Sequence, residues 1–252
     1  MTTSHFTSTI AGITLAFASS ASMADNGQST SSNSAISYQY QVIDLAPDDG
    51  VTAGVDFYIQ NSLSSAQVRP HDPWIGKHDF NSGKDSSSAG ISLGDQAAYA
   101  WGSAATGLAS KGYAYSDGGY SASHSFSSSY SLTPHSVLVI FGTFSGAASA
   151  TKGDESMAHT YMSLSGYVDG KWMSDSASHS WSENNGDSSS HYFKFTFSNN
   201  TARYGYGSVS ATSSVFGSVN HPAPVPEAET WAMLGGGLLA LTALRRKRAK
   251  RK

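Results

Sequence analysis

Strict alternation of apolar and polar residues is the feature of this sequence that most limits its fold. In the segment 191–199, HYFKFTFSN, the residues Phe193, Phe195 and Phe197 are each separated by one polar residue. A period of two places every second side chain on the same face of an extended chain, as in a β-strand with one buried face. Between the two termini we find no long stretch with the 3.6-residue period of an amphipathic helix, so the sequence predicts an all-β protein.

Other segments have related patterns and predict an antiparallel β-sandwich with a jelly-roll-like arrangement over residues 37–220. Segment 136–144 is apolar on both faces, which is typical of a central strand. Segment 61–90 is polar and contains Pro70 and Pro73, so we expect a long loop there. About ten short strands separated by turn residues are typical of such sandwiches. The expected strands are 37–45, 54–60, 96–103, 112–117, 120–130, 136–144, 160–168, 176–182, 191–199 and 204–216.

The composition agrees with a β-sandwich and excludes several kinds of site. Ser makes up about a fifth of the chain, far above average usage, and only 13% of the residues are charged. The absence of Cys excludes disulfides, thiolate zinc sites and Cys nucleophiles. Residues 25–224 contain sixteen acidic and eight basic residues. A body with this acidic balance is not expected to bind nucleic acid.

The N-terminal residues 1–24 are typical of a signal peptide. An apolar segment from Ile10 to Phe17 precedes Ser22 and Ala24, which are small residues of the kind that signal peptidase recognises. We therefore expect export of the chain and cleavage by signal peptidase after Ala24. The polar segment 25–36 is expected to be a disordered linker. The alternative for the N-terminus is a buried strand or helix.

The C-terminal residues combine an apolar segment with a basic tail. We expect residues 229–244 to form a single transmembrane helix and residues 245–252 to stay in the cytoplasm, so that the body lies outside. The most apolar part, Trp231–Leu244, spans about 21 Å as a helix against roughly 30 Å of hydrocarbon, so the anchor is marginal. An ordinary tail-anchored protein is the alternative. The residues expected to orient the helix are Arg245, Arg246, Lys247 and Arg248.

A proline-acid motif precedes this apolar segment. It occupies residues 225–234 and reads VPEAETWAML. Together with the apolar segment and the basic tail, it resembles the PEP-CTERM sorting signal, whose usual motif is Val-Pro-Glu-Pro-x-Thr-Trp-Ala-Met-Leu. Ala228 stands here in place of the second proline, and the whole signal is expected over residues 221–252. The motif residues that carry the resemblance are Val225, Pro226, Glu227, Thr230 and Trp231.

The resemblance implies that the chain is a substrate of exosortase, a processing enzyme in the inner membrane of Gram-negative bacteria. Members of the family reside in that membrane temporarily and are cut at or near the position of Pro226 and Glu227. Their bodies then reach the cell surface or the extracellular space, and exosortase systems accompany exopolysaccharide production and biofilm. We therefore expect an exported, non-catalytic surface or extracellular-matrix protein that associates with exopolysaccharide and has no cofactor.

Two other functions stay open for the body, namely a carbohydrate-binding module and a secreted hydrolase. Trp74, Trp101 and Trp172 could stack on sugar rings, although aromatic residues of a β-sandwich belong more often to its core. Residues 90–94, GISLG, match the motif around the nucleophile of many hydrolases, which would make Ser92 the nucleophile. That motif needs a buried strand before it and a helix after it. Because a polar segment precedes it here, we expect no catalytic residue.

A repeated segment raises the question of a paired histidine site. SASHSFS, which starts at Ser121, recurs as SASHSWS, so His124 and His179 occupy equivalent positions. The interpretation that we favour is two similar strands, with Phe126 and Trp181 facing inward and the alternate Ser and His residues facing outward or lying at the sheet surface. Neither segment has the His-x-x-x-His spacing of a zinc site, so no metal is expected there.

An acidic turn is the remaining candidate for an ion site. Carboxylates near a turn often bind Ca²⁺, and the candidates here are Asp48, Asp49 and Asp56. The regular spacing of an EF-hand loop is absent. We therefore expect a solvated turn and no metal site.

Overall fold

The computed structural model describes residues 30–70, 76–84, 86–103, 107–115, 117–151, 153–182 and 188–219. All regular structure in these residues is β-strand. The strands are β1 (Thr30–Asp44), β2 (Val55–Pro70), β3 (Lys77–Gly83), β4 (Ser86–Leu93), β5 (Gln96–Ser103), β6 (Gly107–Ala114), β7 (Gly118–Leu132), β8 (Ser136–Ala150), β9 (Glu155–Val168), β10 (Lys171–Ser182), β11 (Ser189–Asn199) and β12 (Gly205–Val219).

The strands form two six-stranded antiparallel sheets. Sheet A has the order β11-β8-β1-β6-β5-β4, and sheet B has the order β10-β9-β12-β7-β2-β3. Inward-facing side chains of both sheets join in one hydrophobic core, so the sheets pack face to face as a sandwich. The all-β antiparallel sandwich that the sequence predicts is therefore confirmed.

Alternate residues of each strand supply this core. On β11, Phe193, Phe195 and Phe197 are buried, as their alternation predicts. On the neighbouring strand β8, Ile140 lies opposite Phe195, and Leu138 lies opposite Phe197. Both aliphatic side chains are also buried. Burying one such large apolar side chain contributes roughly 1.5–3 kcal/mol to stability. The buried residues of β8 and β11 therefore contribute a large part of the hydrophobic stabilisation of the sandwich.

The core is polar where the two central strands, β1 and β12, face each other. The Oγ atoms of Ser34 and Ser213 lie 2.8 Å apart across the sandwich. Ser110 Oγ donates to the carbonyl oxygen of Ser213 at 2.9 Å, and Ser32 Oγ lies 2.7 Å from the hydroxyl of Tyr120. A buried hydroxyl without a partner costs about 1–3 kcal/mol. These contacts between the sheets therefore let small polar side chains occupy the centre of the core.

The first strand begins earlier than the sequence indicates. β1 starts at Thr30 rather than at Ser37, so residues 30–36, which we expected to belong to a disordered linker, are strand. Thr30 Oγ1 donates to the carbonyl oxygen of Glu155 at 2.9 Å. This segment also pairs with both β6 and β8. Thr30, Ser32 and Ser34 are buried in it together with Ala35 and Ile36, so a polar composition does not predict disorder here.

The prediction of a long loop over residues 61–90 is wrong. β2 continues to Pro70, and β3 and β4 occupy most of the remaining described residues of the segment. The inward positions of β2 include Ser62, Ser64 and Ala66, all buried. Such small side chains do not produce the alternation between large apolar and polar residues by which a strand is usually recognised. The described residues therefore contain twelve strands.

Glycines make room for aromatic rings between the sheets. The rings of Tyr130 and Phe197 meet edge-on, with centroids 5.4 Å apart. A Cβ atom on Gly166 of β9 would lie 2.1 Å from Cε2 of Phe197, and one on Gly207 of β12 would lie 2.4 Å from Cζ of Tyr130. Because interiors are close-packed and the rings have no free space to move into, the two positions admit no larger side chain without displacement of a ring.

We expect Gly166→Ala to lower the free energy of unfolding by about 1–3 kcal/mol, because the added methyl group overlaps the ring of Phe197. Urea unfolding of the two proteins measures the difference. Gly54→Ala is the matched control, since a Cβ there would have its nearest neighbour, Cγ2 of Thr133, at 3.9 Å. Equal losses in both variants would contradict the close packing of the ring against Gly166.

Candidate functional site

The outer surface of sheet B is rich in hydroxyl side chains, and we call part of it the serine face. The serine face consists of the outward residues of four strands, namely the even positions 172–182 of β10, the odd positions 157–167 of β9, the even positions 206–216 of β12 and the odd positions 121–131 of β7. Ser or Thr occupies most of these positions. The other residues of the serine face are Trp172, Tyr167, Tyr206, Tyr161, His159, Met157 and Phe216.

Strand pairing aligns these hydroxyls in rows across the sheet. Neighbouring strands lie about 4.8 Å apart, and successive outward residues of one strand are about 6.8 Å apart, so the hydroxyls form a two-dimensional array with these spacings. Two adjacent rows have Ser at every position on β10, β9, β12 and β7. One row is Ser174, Ser165, Ser208 and Ser129, and the next is Ser176, Ser163, Ser210 and Ser127.

Hydrogen bonds within the rows order the hydroxyls. Ser163 Oγ lies 2.8 Å from Ser210 Oγ, and Ser165 Oγ lies 3.0 Å from Ser208 Oγ. A serine hydroxyl can donate one hydrogen bond and accept two. One contact with a neighbour therefore fixes the rotamer and still leaves each of these hydroxyls able to bond a ligand or water.

An aromatic row closes one end of the serine face. Trp172, Tyr167 and Tyr206 follow one another in the register across β10, β9 and β12. Their exposed fractions are 64%, 52% and 61%. Large aromatic side chains bury most of their surface when they belong to a core, so three neighbours with this exposure leave ring faces open to solvent. The row can therefore stack against the rings of a ligand.

The opposite end of the serine face contains a depression. Met157 and Phe216 lie opposite each other on β9 and β12, and both side chains are about half exposed. Together with His159 and several serines, they line an open depression of about 180 Å³. The serine rows thus lie between an aromatic row and a depression with an apolar wall.

The serine face lacks fixed charges. Among its residues, all of which the structure describes, there is no Asp, Glu, Lys or Arg. His159 forms a hydrogen bond through Nδ1 with Ser180 Oγ at 2.8 Å. The serine face itself therefore offers hydroxyl groups and rings to a ligand. Charged side chains border its two ends on the same side of sheet B: Asp56 of β2 lies opposite Ser131, and Glu155 of β9 lies one outward position beyond Met157.

A second polar cluster is buried between the sheets. His124 of β7 is fully buried, with Nδ1 2.6 Å from Ser64 Oγ and Nε2 3.3 Å from Ser62 Oγ. Ser87 of β4 lies within 3.0 Å of the Ser64 hydroxyl and 3.1 Å of the Ser62 hydroxyl. A Cβ on Gly102 of β5 would lie 2.8 Å from Nε2. The imidazole therefore occupies a fitted site in which both ring nitrogens are hydrogen-bonded.

Burial decides the chemistry of this histidine. It lowers the pKa of His124 from 6.5 to about 4, so the ring is neutral at pH 7 and has one donating and one accepting nitrogen. Its hydrogen-bond partners are serines and not a carboxylate. A Ser–His hydrolase needs a base that reaches a substrate and a third group that orients it. The buried cluster has the geometry of a structural hydrogen-bond network instead.

We expect the free energy of unfolding to fall as the pH is lowered from about 6.5 to about 4, because in this window the unfolded chain binds a proton at His124 that the folded chain does not. Above about pH 6.5 His124 is neutral in both the folded and the unfolded chain, so the folded state has its full stability with respect to this group. The slope from this single group approaches about 1.4 kcal/mol per pH unit. Denaturant unfolding over a pH series measures it. His124→Gln cannot titrate and should show a flatter profile, and identical profiles would contradict a buried neutral imidazole.

The structure does not bring the repeated SASHS segments together into a paired site. They lie on β7 and β10, with β12 and β9 between them. Phe126 and Trp181 are buried, as expected. For His124 the expectation of an outward or surface position is wrong, because His124 shares the inward parity of Phe126 on β7. His179 likewise shares the parity of Trp181 on β10. His124 is in the core, and His179 is partly buried at an edge of the sandwich.

His179 belongs to a cluster where the edge strands β10 and β11 meet. Its ring stacks on that of His191, with centroids 3.4 Å apart. Trp181 Nε1 donates to Ser189 Oγ at 3.0 Å, and that hydroxyl also lies 3.0 Å from His191 Nε2. Partial burial and the neighbouring His191 lower the pKa of His179. Within the described ranges, no group of three or more His, Cys, Asp or Glu residues is placed to hold a metal ion.

Ser92 is exposed on β4, where it pairs with Ala97 of β5. The turn between these strands contains Gly94, whose φ of +59° is in the left-handed region. The GISLG motif therefore lies in a β-hairpin and not in the strand–turn–helix arrangement of a nucleophile elbow.

The three acidic candidates are exposed. Asp48 and Asp49 lie in the turn after β1, and Asp56 lies on β2. Asp49 Oδ1 accepts a hydrogen bond from the backbone N–H of Val51 at 2.8 Å, which is the usual role of Asp in a turn. This arrangement agrees with the solvated turn that the sequence favours.

The tryptophan candidates do not share one surface. Trp172 belongs to the serine face, whereas Trp101 of β5 lies on the outer side of sheet A. There, Lys111 Nζ lies 5.8 Å from the Trp101 ring centre and 5.3 Å from that of Tyr99. Trp74 lies outside the described residues. Trp172 and Trp101 therefore belong to different sheets and do not form one stacking surface.

The predicted targeting residues also lie outside the described part of the chain. In the part that is described, no helix is long and apolar enough to span a membrane, and the expected span 229–244 is not included in it. The residues concerned are Ala24, Val225, Pro226, Glu227, Thr230, Trp231, Arg245, Arg246, Lys247 and Arg248.

Comparisons with models of protein families, with curated proteins and with solved structures found no match to this chain. The geometry of the serine face and the signals in the sequence therefore carry the functional argument.

Proposed function

We propose that this protein is an exported, exosortase-sorted and non-catalytic component of the cell surface or extracellular matrix of a Gram-negative bacterium, associated with exopolysaccharide. The observation that carries the proposal is the order of three features, in which the motif 225–234 precedes an apolar segment and a basic tail. Each feature alone is common. Their fixed order, with Trp231 at the start of the apolar segment, is specific to a sorting signal of this type.

The proposed route has three steps. Signal peptidase removes residues 1–24, and the apolar segment 229–244 then holds the precursor in the inner membrane with its basic tail in the cytoplasm. Exosortase cuts near Pro226 and Glu227 and separates the body from the membrane. The signal peptide, the membrane helix and the jelly-roll-like arrangement of the sandwich stay predictions from the sequence.

The described part of the chain supports a body that binds rather than catalyses. Ser92 lies on the outer side of sheet A, whereas His124 is buried between the sheets, so the two groups that a serine hydrolase combines do not meet. Sheet B offers an extended surface of hydroxyls and exposed rings instead. This is the kind of surface that suits a matrix component, which acts through contacts.

We expect the mass of the mature protein to depend on exosortase. In a host that has the enzyme, the C-terminus should fall near residues 225–228, and in a host without it the basic tail should stay attached. Intact-protein mass spectrometry of both products distinguishes these outcomes. A basic tail that is retained in both hosts would contradict the sorting proposal and indicate a permanently anchored protein.

Glu227→Ala should block this processing, because it removes the acidic residue of the motif. Glu229→Ala is the matched control, since position 229 is variable in the motif and the charge change is the same. Both variants should leave the stability of the sandwich unchanged, because β12 ends at Val219. Equal processing of the two variants would contradict the assignment of Glu227 to the motif.

A further inference from the structure

We propose that the serine face is a binding site for a neutral polysaccharide. In this complex the aromatic row stacks on sugar rings, and the serine rows form hydrogen bonds with sugar hydroxyls. The inference rests on the proposed function in one respect, because the protein must leave the cytoplasm to meet such a polymer. The binding itself is a property of the face and can be measured whether or not the chain is sorted.

The chemistry of the serine rows matches that of a sugar surface. Each hydroxyl of Ser163 and Ser210 is held by the other at 2.8 Å and keeps further hydrogen-bonding capacity. Sugar hydroxyls also donate and accept, so they can replace the water on this face without leaving a polar group unpaired. Because the rotamers of the pair are already fixed, less entropy is lost on binding than on a surface of long flexible side chains.

The aromatic row supplies the apolar part of the contact. Trp172, Tyr167 and Tyr206 lie on adjacent strands, so the row extends about 10 Å across three strands. The C–H faces of a pyranose ring are apolar and flat, and they pack against open ring faces of this kind. Tyr and Trp can also donate from their polar ends, which suits a ligand that presents apolar faces and hydroxyl edges together.

The charge pattern indicates a neutral polymer. An acidic polysaccharide or a nucleic acid would require Lys or Arg on the face, and a cationic polymer would require acidic residues. None of these residue types occurs among the outward positions that form the serine face. The adjoining outward charges, Asp56 beside the aromatic row and Glu155 and Arg69 beyond the depression, lie at its two ends and differ in sign. A protein partner is less suited, because the centre of a protein–protein interface is usually apolar, whereas hydroxyls occupy the centre of this face.

The length of the face favours a polymer over a single sugar. The aromatic row is level with Ser131 of β7, and the row of Met157 and Phe216 is level with Ser121 of the same strand. The two rows are therefore roughly 33 Å apart along the strands. The depression of about 180 Å³ lies at this second end. A chain of several sugar units can therefore contact the aromatic row, the serine rows and the depression at once.

Affinity electrophoresis tests the proposal. The full chain, kept in solution by a detergent without a sugar headgroup, migrates through native gels that contain hydroxyethyl cellulose, galactomannan or dextran as neutral probes, or alginate as an acidic probe. We expect retardation by at least one neutral probe and not by alginate. Trp172→Ala combined with Tyr206→Ala should weaken this binding by about tenfold or more.

Two matched controls separate the serine face from the rest of the surface. Tyr192→Ala removes a tyrosine that is 67% exposed on β11 of sheet A and should leave retardation unchanged. Ser176→Asp places a charge among the serine rows and should weaken binding, whereas Ser37→Asp, at an exposed position of β1, should not. Thermal unfolding of each variant shows that the sandwich is intact.

Several outcomes would overturn the proposal. They are retardation by none of the neutral probes, retardation by alginate as strong as by the neutral probes, and equal loss of binding in the serine-face variants and their controls. Sedimentation analysis adds one more test. Self-association that Trp172→Ala abolishes, without any retardation by the probes, would assign the face to contact with a second copy of the chain.

Discussion

The close approach of the two sheets at their central strands, where Ser34 and Ser213 share a hydrogen bond, constrains the side chains on both strands. A larger side chain at either position would force the sheets apart. Each hydroxyl also donates to a backbone carbonyl of the opposite sheet, Ser34 to Ser214 at 3.1 Å and Ser213 to Ser34 at 3.0 Å. On β12, Ser213 shares its inward parity with the buried residues Val209, Ala211 and Val215. Since Ser213 faces inward, Thr212 and Ser214 must face outward and belong to the serine face. The core thus determines which hydroxyls reach the surface.

The size of the inward side chains decides how much of the fold can be predicted from the sequence. β8 and β11 are predicted well because Leu, Ile and Phe stand at their buried positions. The start of β1 and most of β2 are not predicted, because Ser and Ala fill the same positions there, as at Ser32 and Ser64. When hydroxyl residues occupy both faces of a strand, the sequence does not alternate between apolar and polar residues, and this alternation is the signal by which a strand is recognised.

Register decides how much of the candidate site can be predicted. Trp172, Tyr167 and Tyr206 are distant in the sequence and become neighbours only through the pairing of β10 with β9 and of β9 with β12. The sequence does contain one usable signal, which is the run of Ser at alternate positions over 121–131. The same alternation places His124 on the face of Phe126, and reading it consistently would have predicted a buried histidine.

The lack of charge on the serine face affects how it responds to salt. Attraction between ions extends about 30 Å at 0.01 M salt and about 3 Å at 1 M, so charged contacts weaken as water becomes saltier. Hydrogen bonds between neutral hydroxyls and stacking of rings have no such dependence. A contact made through the hydroxyls and rings of this face keeps nearly the same strength in fresh water and in brine, whereas a contact made through ion pairs weakens with added salt.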